Sequence, residues 1–247
     1  MIYENAPITE AVIDLVFEFD TTPTIEALGE LADELNPPFD QRQPINQVEM
    51  ALDMSEMGVG ANTKPSASFQ QLGLRLSNSD LTRITQLRVN GANFSHMQPY
   101  TRWETFSVEA LKVFDGYIKR FSPRAVSRMA LRYINQIEVP QDSEIDVYLN
   151  ISPRLLPDLP QIVAGYFVQL QLPQIDLGPN WHAIVNTGIG PAANLDNMNL
   201  LLDIDVYVQE SVPATTESIT AVLAKLRDRK NKIFESAITS TTREMIK

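Results

Sequence analysis

The chain contains no cysteine and only two histidines among its 247 residues. Lack of cysteine excludes a disulfide framework, a thiolate metal site and a thiol nucleophile. His96 and His182 have no partner at the i+4 spacing of helical metal motifs, so both read as structural or surface residues, and no cofactor is expected. No Gly-x-Ser-x-Gly elbow occurs. Glycine is sparse, at 10 residues. The stretch Gly58-Val59-Gly60-Ala61-Asn62-Thr63-Lys64-Pro65 is too loosely spaced for a phosphate-binding loop, and no lysine-hydroxyl pair ends it. No run approaches the roughly 20 apolar residues of a membrane span. The opening Met1-Ile2-Tyr3-Glu4-Asn5 has neither a basic segment nor an apolar one behind it. A cytoplasmic protein without membrane association is expected.

Basic residues are also scarce where acids are dense. The net charge is −11 and the pI is near 4.7, which disfavours general nucleic-acid binding by phosphate neutralisation. Residues 1–60 hold thirteen acids, from Glu4 to Glu56, against the single base Arg42. This segment reads either as a solvated face or as a docking surface for a basic partner. A 44% hydrophobic and 21% charged composition is otherwise that of an ordinary globular protein.

Hydrophobic periodicity supplies the elements. Ala11, Ile13, Leu15, Phe17 and Phe19 alternate with Val12, Asp14, Val16 and Glu18 as in a half-buried strand. Thr24 is placed to cap a helix carrying Ile25, Leu28, Leu31, Ala32 and Leu35, which Asn36-Pro37-Pro38 stops. Strands are expected around 45–54, 67–77 and 82–95. The third of these shows Arg83 and Arg88 near water. Trp103, Phe106, Leu111, Phe114 and Ile118 then mark a helix of about five turns ending near Phe121-Ser122-Pro123. A long strand follows at 128–139, with Met129, Leu131, Tyr133, Ile137 and Val139 on one face and Arg128, Ala130, Arg132, Ile134, Gln136 and Glu138 on the other. Residues 142–149 read as a short helix or an extended connector. Strands at 163–172, 181–189 and 199–209 precede a helix at 217–238, whose middle is crowded by Lys225, Arg227, Arg229, Lys230 and Lys232.

The order strand, helix, three strands, helix thus occurs twice, as a duplication of pattern rather than of residues. An α+β fold is expected, with helices on one face of an antiparallel sheet. The two units, 1–122 and 123–247, would share that sheet about a pseudo-twofold axis, like the saddle of the TATA-binding-protein fold, packed as one structural unit.

Asn5-Ala6-Pro7-Ile8-x-Glu10-Ala11, Tyr100-x-x-Trp103, Arg128-x-x-Leu131-Arg132-Tyr133-Ile134-Asn135 and Phe234-x-x-x-Ile238-Thr239 resemble a sporadically distributed, uncharacterised bacterial protein family. The resemblance runs almost end to end, and the central arginine-tyrosine-asparagine motif is its most specific part. It implies a bacterial source, a single structural unit, and an accessory role compatible with defence or toxin neutralisation. It implies no catalytic residues.

The candidate binding residues are Arg128, Arg132, Tyr133, Asn135, Arg83 and Arg88. Arg128 and Arg132 lie about 13 Å apart by the strand rise, too far for one clamp but suited to lining a groove for an extended anion or an acidic peptide. Tyr133 and Asn135 would add hydrogen bonds at one end. Alternatively, Arg132 pairs with Glu10, Asp14 or Glu18 of the first strand and ties the halves together. The sequence leans toward that structural role for Arg132 and toward a ligand role for Arg128. Asp203 and Asp205 share a strand face and could bind a cation or work as an acid-base pair, or else form a solvent-facing or salt-bridged edge. Two functions remain open: a non-catalytic protein that binds a protein partner, and a binding module or enzyme for a phosphate-bearing, small anionic ligand.

Overall fold

The computed structural model describes residues 3–35, 38–51, 66–158, 163–191, 194 and 196–247. Among these, nine strands form one antiparallel sheet in the order β2-β3-β4-β5-β1-β6-β9-β8-β7. The strands are β1 (Ile8–Glu18), β2 (Gln41–Ala51), β3 (Ser66–Ser77), β4 (Arg83–Arg88), β5 (Gly91–Met97), β6 (Ala125–Pro140), β7 (Phe167–Pro173), β8 (Trp181–Gly190) and β9 (Asn197–Val208). The helices are α1 (Ile25–Glu34), α2 (Trp103–Phe121), α3 (Thr216–Ala237) and α4 (Ser240–Met245). The fold is α+β. No helix of the described residues is long and apolar enough to cross a membrane.

Alternation decides which face is covered. The odd-numbered side chains of β1 (Ala11, Ile13, Leu15, Phe17) are buried, and so are Met129, Leu131, Tyr133, Ile137 and Val139 of β6. This face receives Leu28 and Leu31 of α1, Phe106, Val113 and Phe114 of α2, and Leu223 and Leu226 of α3. Here α1 packs near β3, α2 near β5, and α3 over β6 and β9. Thr24 caps α1, its hydroxyl accepting from the Ala27 amide at 3.2 Å, and Thr215 caps α3 in the same way. Ser122, in left-handed backbone at φ 46°, closes α2 ahead of Pro123.

One expectation is corrected. The single strand expected at 82–95 is a hairpin, β4 and β5, folded at Val89-Asn90. Arg88 pairs with Gly91, which leaves a two-residue loop, and Gly91 is required there: a Cβ would lie 2.2 Å from the Leu15 carbonyl oxygen. Four strands rather than three therefore separate α1 from α2. Within 142–149, expected as a short helix or an extended connector, Ile145–Val147 forms a short 3-10 helix, and α4 follows beyond the expected elements. The glycine stretch at 58–65 and the end of the strand expected at 45–54 lie outside the described residues.

Candidate functional site

The face of the sheet opposite the helices carries the site. Register brings Val12 of β1, Arg132 of β6 and Asp205 of β9 into one row, and Asp14, Ala130 and Tyr207 into the next. Ala130 is small, and Gly91 stands beside Arg88 in the hairpin pairing, so long side chains can lie across their neighbours there. Arg88 donates to Asp14 Oδ2 at 2.7 Å, and Arg128 donates to Asp14 Oδ1 at 3.3 Å. The Arg128 guanidinium lies over the Tyr207 ring, 4.7 Å from its centroid, and reaches Asp205 at 3.8 Å. Arg132 forks onto Asp203 through Nε at 2.8 Å and Nη2 at 2.7 Å. Asn186 of β8 donates to the same carboxylate at 2.9 Å. His182 stacks on Tyr207 at 5.3 Å.

The result is a lattice of alternating charge spanning β4, β1, β6, β9 and β8. Asp203 is almost wholly buried, whereas the Arg132 side chain is 46% exposed and that of Arg128 is 28% exposed. Burial pushes the Asp205 carboxyl up to about 6, against the opposing pull of Arg128 and Arg132. Its Oδ1 is buried with no hydrogen-bond partner in the protein. Hydrogen bonding to Asp203 raises the Arg132 pKa further, so that cation stays charged throughout the accessible range.

The expected carboxylates for Arg132 were Glu10, Asp14 and Glu18. Its partner is instead Asp203, which is diagonal to it across β6 and β9, already oriented by Asn186, and able to take two parallel bonds. The link from β6 to a first-strand carboxylate is made by Arg128, through Asp14.

Tyr133 and Asn135 cannot join the arginines, because period two sends them to the helix-covered face. Asn135 is buried and donates to the Leu202 carbonyl at 2.9 Å. The Tyr133 hydroxyl lies 2.9 Å from that of Tyr100, and the Lys230 ammonium sits over its ring at 3.9 Å. Burial holds the Lys230 pKa down to about 8. Arg83 is on this face too, half-buried rather than near water, with Nε donating to Glu109 of α2 at 2.5 Å. His96 stands opposite it, fully buried against Tyr100 and Phe106, and burial lowers its pKa. Thus Arg88, Arg128 and Arg132 share the open face, whereas Arg83, Tyr133 and Asn135 do not.

No protein-family model matches the chain, and no curated protein or solved structure matches it.

Two clefts lie apart from the lattice. One of about 900 Å³ is lined by residues 141–146, 152–155, Val163, Ala164 and Met198, and one of about 550 Å³ lies beside Tyr3 and Tyr100. None of the six candidate binding residues lines either. Among the described residues, no group of three or more histidine or acidic side chains is placed to hold a metal ion. Tyr207 and Asn186 were not anticipated. Their alternation with Asp203, Asp205 and His182 marked their face, but only sheet register shows which strands meet.

Proposed function

We propose that this chain is a non-catalytic interaction protein whose open sheet face docks a basic protein partner, in an accessory role such as defence or toxin neutralisation. The charge of that face carries the reading. Along β1 and β3–β9, alternation places Glu10, Asp14, Glu18, Glu138, Asp203 and Asp205 there against Arg75, Arg88, Arg128 and Arg132. The guanidinium groups at its centre are already paired with carboxylates, so a phosphate would have to displace them, and the remaining excess charge is negative. Glu10, Asp14 and Glu18, the β1 part of the acidic first quarter, belong to that face. The spread of the arginines over two faces, outside the clefts, supports this reading over a phosphate-ligand module.

The strand order supports a further element of the proposal. With β1 and β6 adjacent and antiparallel, and β5 and β9 flanking them, residues 1–122 and 123–247 are two related halves packed as one unit about an axis between β1 and β6. The open face is then the saddle surface that both halves build. Such a face exposes preoriented donors and acceptors over a wide area, which suits a protein surface better than a small molecule.

Affinity co-purification from a bacterial host, followed by cross-linking and mass spectrometry, tests this. A basic protein cross-linked through the open-face strands is expected, with binding that weakens as salt rises. A bound phosphate ester in place of a protein, or cross-links confined to α1–α3, would overturn the proposal.

A further inference from the structure

The two edges of the sheet are built differently. At one edge, β2 carries Pro44, which has no N–H to offer a new strand. Its register with β3 shifts between Ile45 and Asn46, and Arg42 is tied back to Asp33 of α1. Proline, a bulge and a charge are the devices that keep an edge from pairing. At the other edge, β7 has none of them. Its sequence, Phe167-Val168-Gln169-Leu170-Gln171-Leu172-Pro173, contains no charged residue in a chain of net charge −11. Pro173 stands only at its end. Phe167 is 64% exposed, and Ile175, just past the strand, is 81% exposed.

Hydrogen-bond parity shows which backbone groups β7 turns away from β8, on the side where no strand of the described residues pairs with it. Tyr166 O accepts from the Ile189 amide, and the Gln174 amide donates to Trp181 O. The even-numbered residues between them therefore bond to β8, and Phe167, Gln169 and Gln171 turn their N–H and C=O groups outward. Three consecutive outward residues, none of them proline, form a complete template for an added antiparallel strand.

We propose that β7 pairs with β7 of a second copy of this chain about a twofold axis at Gln169. In that register Gln169 meets Gln169, and Phe167 of each copy meets Gln171 of the other, making about six backbone hydrogen bonds. Val168 and Leu170 of one copy pack against Leu170 and Val168 of the other on the helix side. The lack of charge favours a second copy as the occupant: two chains that repel through most of their surface meet at a neutral, self-complementary strip. The blunted β2 edges then face outward and stop further addition, so the assembly closes as a dimer with an isologous interface.

The twofold register gives the test. The Gln169 side chain is exposed, donating to Asn186 Oδ1 at 2.9 Å, so charged replacements leave the core untouched. Sedimentation velocity over a concentration series should show the wild type approaching twice the 27.7 kDa chain mass. Gln169→Lys and Gln169→Glu each place like charges directly opposite and should weaken self-association at least about fivefold. An equimolar mixture of the two variants should restore it. Circular dichroism confirms that both remain folded. A monomeric wild type, a dimer indifferent to either charge, or two weakened variants that fail to rescue each other would each overturn the pairing.

Discussion

The phenolic oxygens of Tyr100 and Tyr133 lie 2.9 Å apart, so the loop leading into α2 is hydrogen-bonded to central strand β6. Burial raises the pKa of Tyr100 to about 12 and that of Tyr133 well above its ordinary value, so both phenols are protonated at neutral pH. Tyr133→Phe leaves the Tyr100 hydroxyl without this partner and is expected to cost about 1–2 kcal/mol. The double variant Tyr100→Phe/Tyr133→Phe should cost less than the sum of the single variants, because no stranded hydroxyl remains. Urea denaturation of the three variants measures this, and strictly additive losses would contradict it.

Arg132 and Arg128 differ in what their removal leaves behind. Arg132→Ala strips both guanidinium bonds from buried Asp203 and leaves Asn186 as its remaining side-chain donor. A loss of about 2–4 kcal/mol is expected, below the range for fully buried pairs because Arg132 is itself partly exposed. Arg128→Ala leaves Asp14 with Arg88 and should cost about 1 kcal/mol. Chemical denaturation giving the reverse order would refute the partner assignment.

Asp205 sets a pH dependence of defined sign. Its folded-state pKa, about 6, lies above the ordinary value of 3.8, so the folded protein holds this proton more tightly than the unfolded chain. The stability it contributes is fully present below about pH 4 and is lost as pH rises through 6. Asp205→Asn should remove this component. Relative to that variant, the wild type should lose on the order of 2 kcal/mol between pH 4.5 and 7.5. Parallel stability curves for the two proteins would exclude the assigned shift.

Lys230 works in the opposite direction. Its pKa falls from 10.5 to about 8 on folding, so its contribution improves as pH climbs through that interval, where the unfolded chain binds more protons. Lys230→Met keeps an apolar stem over Tyr133 and removes the desolvated charge. The variant should be the more stable at pH 7, by about 1 kcal/mol, and its advantage should shrink by pH 10. Thermal melts at the two pH values decide it; an advantage that grows with pH is the contrary result.

Local pattern determined much of this protein. Alternation in 11–19 and 128–139 identified β1 and β6 and which side chains each turns inward, because period two is a property of the extended backbone itself. Thr24, Ser122 and the spacing of Leu28 with Leu31 and of Phe106 with Phe114 located helix ends and faces, because caps and 3.6-residue periodicity act within a few residues. The α+β class followed from the order of these elements. Tertiary structure alone decided that Arg132 meets Asp203 while Arg128 meets Asp14. Those choices depend on strand order and register among residues about 70 and 114 apart in the chain, where Glu10, Asp14 and Glu18 were equally available partners by composition. The same non-local pairing decided that β7, unremarkable as a sequence, is the last strand of the sheet among the described residues: a strand's neighbours are chosen by how the whole sheet closes, not by its own residues.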